Sequence, residues 1–158
     1  MPATQTRIVG SGYTTLEYAG KRIAFLDSFR DSGQQPITAA VPVHPLDAPF
    51  PVEIATATAL NAGTIQATIR ELWNEPVWYQ LQGLAGQKSI TDVWAALRLN
   101  PMRVTCRMVI RPPQNAPVRG KIYHNCTVTA IPDDEDVTIG ALTVPRTISI
   151  MYTHSTAL

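Results

Sequence analysis

The sequence is short of charge. Asp, Glu, Lys and Arg make up 16% of its 158 residues, against about 25% in an average soluble domain. The 13 basic and 12 acidic side chains nearly cancel, leaving a net charge of +1, and no basic patch stands out. Strong nucleic-acid binding through phosphate contacts is therefore not expected. A lightly charged surface is a solubility risk for a lone subunit. Burial between subunits would remove that risk; solvation by Thr, Gln and Asn is the alternative. Cysteine is scarce too: Cys106 and Cys126 do not make the framework of a secreted disulfide scaffold. No apolar run approaches the roughly 18 residues of a membrane-spanning helix. The start, Met1 to Gly12, has one Arg and no continuous apolar stretch, unlike a signal peptide. Synthesis and assembly in a cytoplasm are the expectation.

What is present is period-two alternation, the signature of half-buried strands. Met102, Val104, Cys106, Met108 and Ile110 alternate with Arg103, Thr105, Arg107, Val109 and Arg111. From Lys121 to Ala130, Ile122, His124, Cys126, Val128 and Ala130 fall on one side. Lys121, Tyr123, Asn125, Thr127 and Thr129 fall on the other. Ile148, Ile150 and Tyr152 oppose Thr147, Ser149, Met151 and Thr153, and Ile65, Ala67 and Ile69 face inward from Thr64–Arg70. Strands that bury one face and wet the other commonly lie in antiparallel sheets. Ala19-Gly20-Lys21 predicts a hairpin between runs 13–18 and 22–29. Asn61-Ala62-Gly63 separates runs 52–60 and 64–72, and Pro112–Asn115 and Pro132–Asp134 end two more. Eight or nine short strands are expected from these signals, at the intervals of a sandwich or barrel. One helix stands out. Ser89-Ile90-Thr91-Asp92 resembles a capping box, and Ile90, Val93, Trp94 and Leu97 form one apolar stripe. Asn100-Pro101 stops it.

Residues 36–51 hold five prolines in sixteen positions, which rules out a long helix or a central strand. Yet the stretch is apolar, with Ile37, Val41, Val43, Leu46 and Phe50, and a solvated linker would be richer in Gly, Ser and charge. An extended apolar arm needs a surface to lie on, either its own body or a neighbouring subunit.

The candidates for chemistry are weak. His44, His124 and His154 have no partner at metal-ligand spacing, and two cysteines lack the further ligands of a zinc site. No metal, cofactor or catalytic set is expected. A His124 pairing with Cys106 or Cys126 as a nucleophile is the residual catalytic reading; buried reduced cysteine acting as a small hydrophobe is the plainer one. Asp133, Asp134, Glu135 and Asp136 form the only dense charge run. They lack the ligand order of a calcium loop and read as a polar turn, or as an acidic belt if repeated around a ring. Trp73, Trp78 and Trp94 are read as packing between helix and sheet in preference to a base-stacking platform.

The stretches Lys121-Ile-Tyr-His-Asn-Cys-Thr-Val-Thr-Ala-Ile-Pro and 136–154, with Ala24-Phe-Leu-Asp-Ser-Phe, His44-Pro-Leu-Asp and Ile69-Arg-Glu-Leu-Trp-Asn, together resemble bacteriophage tail tube proteins. The resemblance lies in the order of strands and turns over nearly the whole chain, and extends to the related tube protein of type VI secretion. It implies a mainly β fold: two packed antiparallel sheets, as a β-sandwich or partial barrel, with one flanking α-helix and a long extended loop. Residues 1–158 would form one tube-like domain carrying the arm at 36–51. Subunits of this family close into homohexameric rings that stack into a hollow conduit for DNA delivery, and closure removes exposed sheet edges. The implied partners are further copies of the chain, tape-measure protein and DNA in the lumen, and sheath, baseplate and terminator proteins. No membrane insertion is implied, and the setting would be a virion tail. Val41, Val43, Leu46 and Phe50 become candidate ring or stack contacts, and the resemblance favours the neighbour as the surface under the arm. Arginines 103, 107 and 111 on a lumen wall would hold DNA, so that face is expected to be covered by the helix, the loop or an outer partner. A tube initiator, a tail terminator, a small β-barrel ligand-binding module and an enzyme on a β-sandwich remain alternatives.

Overall fold

The computed structural model describes residues 14–71, 75–99, 103–110, 119–132 and 144–158. Ten strands and one helix follow in order: β1 (Thr14–Tyr18), β2 (Lys21–Arg22), β3 (Leu26–Asp31), β4 (Val41–Val43), β5 (Glu53–Ala55), β6 (Gly63–Arg70), α1 (Ile90–Leu99), β7 (Val104–Ile110), β8 (Arg119–Ala130), β9 (Pro145–Tyr152) and β10 (His154–Ala157). All named pairings are antiparallel, and the main sheet runs β2-β1-β7-β8-β9-β6-β3, with β10 also on β8. The long strand β8 serves two halves. β7 pairs along much of one edge, while β10 and then β9 share the other. β4 and β5 pair only with each other.

The sheet curls. β3 lies three places from β8 in strand order, about 14 Å away if the sheet were flat. Yet the rings of Phe29 on β3 and Tyr123 on β8 sit 6.4 Å apart. Asp31 at the end of β3 accepts hydrogen bonds from Tyr152 Oη at 2.7 Å and Tyr123 Oη at 3.1 Å. The two halves therefore fold over one core, as a partial barrel. Leu16, Tyr18, Ile65, Ile69, Cys106, Tyr123, Val128, Ile148, Ile150 and Tyr152 fill it. α1 lays Val93 and Leu97 on this core, with Ile90 and Trp94 partly buried beside them. Its start is capped as expected, with Asp92 N–H donating to Ser89 Oγ at 3.3 Å, and Trp78 packs in the core from a 3-10 turn.

Several sequence expectations hold and others need correction. β6 and β9 alternate as read, with Ile65, Ala67 and Ile69 facing Ile148 and Ile150 inside. The 19–21 hairpin forms, with the positive φ of Ala19 (53°) and Gly20 (83°) that a tight two-residue turn requires. Run 22–29 is not one strand. β2 ends at Arg22, the chain turns through Phe25 at φ 54°, and β3 crosses to pair with β6. Run 52–60 contributes only β5, which pairs with β4 and not with β6.

The assignment of faces in β8 is overturned in part. Tyr123 is fully buried, on the same side as Cys126 and Val128. The cause is a bulge. Cys106 faces Tyr123 while Val104 faces Cys126, so two residues of β8, His124 and Asn125, oppose one of β7, Thr105, and Asn125 takes φ 52°. One extra residue reverses the parity of everything beyond it. Val109, read as outward, is buried at the far end of β7. Tyr13, Trp73, Met102, Arg111, the 112–115 turn and the acidic run 133–136 lie outside the described residues.

Candidate assembly surface

Between β3 and β6 the chain makes a long excursion. Its base is pinned. Pro36 bridges Leu60, Ile37 N–H donates to Ala59 O, and Asn61 N–H donates to Gln35 O. Gln35 N–H returns to Asn61 Oδ1 at 2.9 Å, and Gln34 Nε2 donates to Asn61 O and to Thr153 O. Above the base, β4 and β5 form a hairpin through the registers Val41–Ala55, Pro42–Ile54 and Val43–Glu53. The tip is closed by Ala48 N–H donating to Pro45 O and by a 2.7 Å bond between His44 Nε2 and Ala48 O. Proline supplies stiffness here without breaking a central ladder.

The side chains on this hairpin are exposed and apolar. Leu46 is fully exposed at the tip, Phe50 is 75% exposed, and Val41 and Val43 on β4, Ile54 on β5 and Val52 just before it are open. Among the described residues, every exposed large apolar side chain except Phe25, Leu99, Met151 and Leu158 belongs to the excursion. An apolar patch of this kind marks an interaction site. Of the two surfaces left open by the sequence, the arm's own body is not the one that covers it. Val41, Val43, Leu46 and Phe50 therefore all lie exposed on this one excursion. The sequence reading stopped at Pro51 and missed Val52, Ile54 and Leu60. The absence of any Lys or Arg between 34 and 60 was the signal that the apolar stretch continues.

Among the described residues, the histidine and cysteine candidates do not assemble into a reactive site. Cys106 and Cys126 are both free and fully buried. The hydrogen bond between the two thiols, and then burial, push Cys106 well above its ordinary range, while the same bond draws Cys126 down; with both sulfurs fully buried, neither has the exposure of a reactive thiol. His124 stacks on His154, with ring centroids 4.4 Å apart, and bonds to Thr156 Oγ1 at 3.0 Å. Its ring partner and its side-chain hydrogen-bond partner are thus both on β10, and neither is a thiol. No group of three metal-ligating side chains forms among the described residues, and no helix among them is long and apolar enough to cross a membrane. Arg103 and Arg107 are exposed, so neither α1 nor the chain's own arm covers that face. The helix and the loop, two of the covers expected from the sequence, are thereby set aside.

A second cluster ties the fold. Asp31 also accepts from Gly33 N–H at 2.8 Å and pairs with Lys121 Nζ at 3.4 Å. Burial alone would raise its carboxyl. The bonds from Tyr152, Gly33 and Tyr123 and the charge of Lys121 outweigh it and hold Asp31 below the usual carboxylate range.

No protein-family model and no curated protein sequence matches the chain. Solved structures do. A chain of the sheath/tube terminator of an extracellular contractile injection system, PVC, in its extended state superposes with a TM-score of 0.70 at 9% identity, covering 99% of both chains. A chain of the PVC sheath-tube complex gives 0.65 at 9% identity, over 99% of this chain and 93% of the other. Hcp1 from Flavobacterium johnsoniae gives 0.50 at 12% identity, over 91% and 93%. At such identities the likeness establishes the fold, which is the tube-type fold of these injection-system proteins along nearly the whole chain.

Proposed function

We propose that this protein is a structural, non-enzymatic subunit of a phage-tail or contractile-injection tube, acting by assembly with copies of itself. The observation that carries the reading is the projecting apolar hairpin on a tube-type fold. An element whose large side chains are open along both strands marks a surface that a partner covers, and left bare it is a solubility liability. In this reading Val41, Val43, Leu46 and Phe50 pack on a neighbouring copy. Homohexameric rings form and stack into a conduit, through which DNA passes once tape-measure protein has left. Sheath, baseplate and terminator proteins are the further partners, the setting is a virion tail, and assembly takes place in the host cytoplasm. The 133–136 acidic run serves as an acidic belt of the ring.

A terminating cap is the second reading. It is favoured by the superposition on the PVC sheath/tube terminator chain at a TM-score of 0.70 over 99% of both chains. The two differ in their end faces. A tube subunit stacks on both sides and grows with concentration; a cap stops at one ring or a closed pair. Sedimentation velocity across a concentration series tests this. Continuous growth supports the tube, a fixed oligomer supports the cap, and a monomer throughout rejects both.

A further inference from the structure

The open hairpin needs a seat, and the body offers a groove of matching chemistry. It lies where the β1–β2 turn meets the start of β7, has a volume of about 410 Å³, and is lined by Glu17, Ala19, Gly20, Val104, Thr105 and Arg107. Ala19, Gly20 and Val104 give it an apolar floor with room for one leucine side chain. Glu17, Thr105 and Arg107 alternate with buried Leu16, Tyr18 and Cys106, so they stand on the outer face of the sheet. Glu17 is directly opposite both Arg22 and Arg107, and Arg103 lies just ahead of β7. Arg107 thus lines the groove beside Glu17, with Arg22 and Arg103 as its neighbours on the sheet, and none of the three arginines appears in a described ion pair. The hairpin is the complement. Between residues 34 and 60 its only full charges are Asp47 and Glu53, and Asp47 follows fully exposed Leu46 at the tip.

We propose that this groove receives the hairpin tip of a second copy, with Leu46 in the apolar floor and Asp47 beside Arg107. The inference rests on the tube-subunit reading and gives it an address: the arginine face is covered by a neighbour's arm. Glu17, directly opposite Arg107, sets the register, because it repels an acidic tip that shifts across the sheet from β7 onto β1. Leu46 supplies apolar burial and Asp47 supplies orientation, the usual division between anchor and rim in an interface.

Two variants of the full chain, each with one added cysteine, test it. Leu46→Cys and Thr105→Cys, carrying different tags, are mixed under assembling conditions and oxidised. The native thiols are buried and should stay silent, which wild type alone checks. A mixed disulfide between the two tagged chains is expected, and it identifies the second copy as the occupant. Charge reversal gives a separate readout. Asp47→Arg or Arg107→Glu should raise the concentration needed for assembly by about three- to tenfold, and the double reversal should restore most of it. If wild type assembles but no mixed disulfide forms and the double reversal restores nothing, the groove is the wrong seat while the tube reading stands. If wild type never assembles, the reading beneath the proposal fails with it.

Discussion

Asp31 shows how much one side chain can do for this fold. It reaches from β3 to the hydroxyls of Tyr123 on β8 and Tyr152 on β9, and so holds the curl closed. Asp31→Ala leaves both hydroxyls without their partner and should cost about 2–3 kcal/mol of unfolding free energy, measured by urea denaturation. The pH dependence has a definite sign. A carboxyl held below its ordinary value in the folded state stabilises above that value and loses the contribution as pH falls through the lower folded one. Wild-type stability should therefore decline below about pH 4, and Asp31→Asn should flatten that decline. An equally steep decline in the variant would assign the acid sensitivity elsewhere. Gly63 is the second critical position. A Cβ there would overlap the Tyr152 ring, the ring that donates to Asp31. Gly63→Ala should cost about 1–3 kcal/mol through overpacking, read as a lowered melting temperature with near-ultraviolet signs of a displaced tyrosine.

At the scale of elements, the arm and the body divide the work. The core is drawn from β1, β6, β7, β8, β9, the 3-10 turn and the segments around α1, and no residue between 36 and 60 belongs to it. Replacing 37–59 with a short Gly-Ser link between Pro36 and Leu60, which already pair, should leave the body folded. A melting temperature within about 5 °C of wild type is expected, together with loss of self-assembly. A collapse of the melt would place the arm inside the body's core. This division was partly legible in the sequence. Five prolines in an apolar run announce an element that is neither core strand nor solvated linker. The helix was legible through its cap and stripe, and β6 and β9 through unbroken alternation. β8 was misread because alternation assumes an unbroken ladder, and the left-handed turn at Asn125 carries no glycine to announce it. The split of run 22–29 was hidden for a similar reason: Phe25 takes a positive φ that a bulky residue rarely adopts. Buried Arg146 was missed because its partner Glu71, at 2.7 Å, is far away in sequence.

For the whole molecule, sparse charge and the exposed arm have one explanation. A subunit with only 16% charged residues and an uncovered apolar hairpin is suited to a surface shared with its neighbours. The strand ends of the curled sheet point the same way. β2 and β3 are the terminal strands of the path, and each offers an edge that a ring can pair. The molecule would act through closure and stacking, with its rigid curled body setting the wall and its hairpin setting the contact between copies. The most direct test is electron microscopy of the purified full-length chain over a rising concentration series. The account predicts hollow rings, stacking into tubes as concentration increases. Single compact particles of one 17.3 kDa chain at every concentration would contradict it.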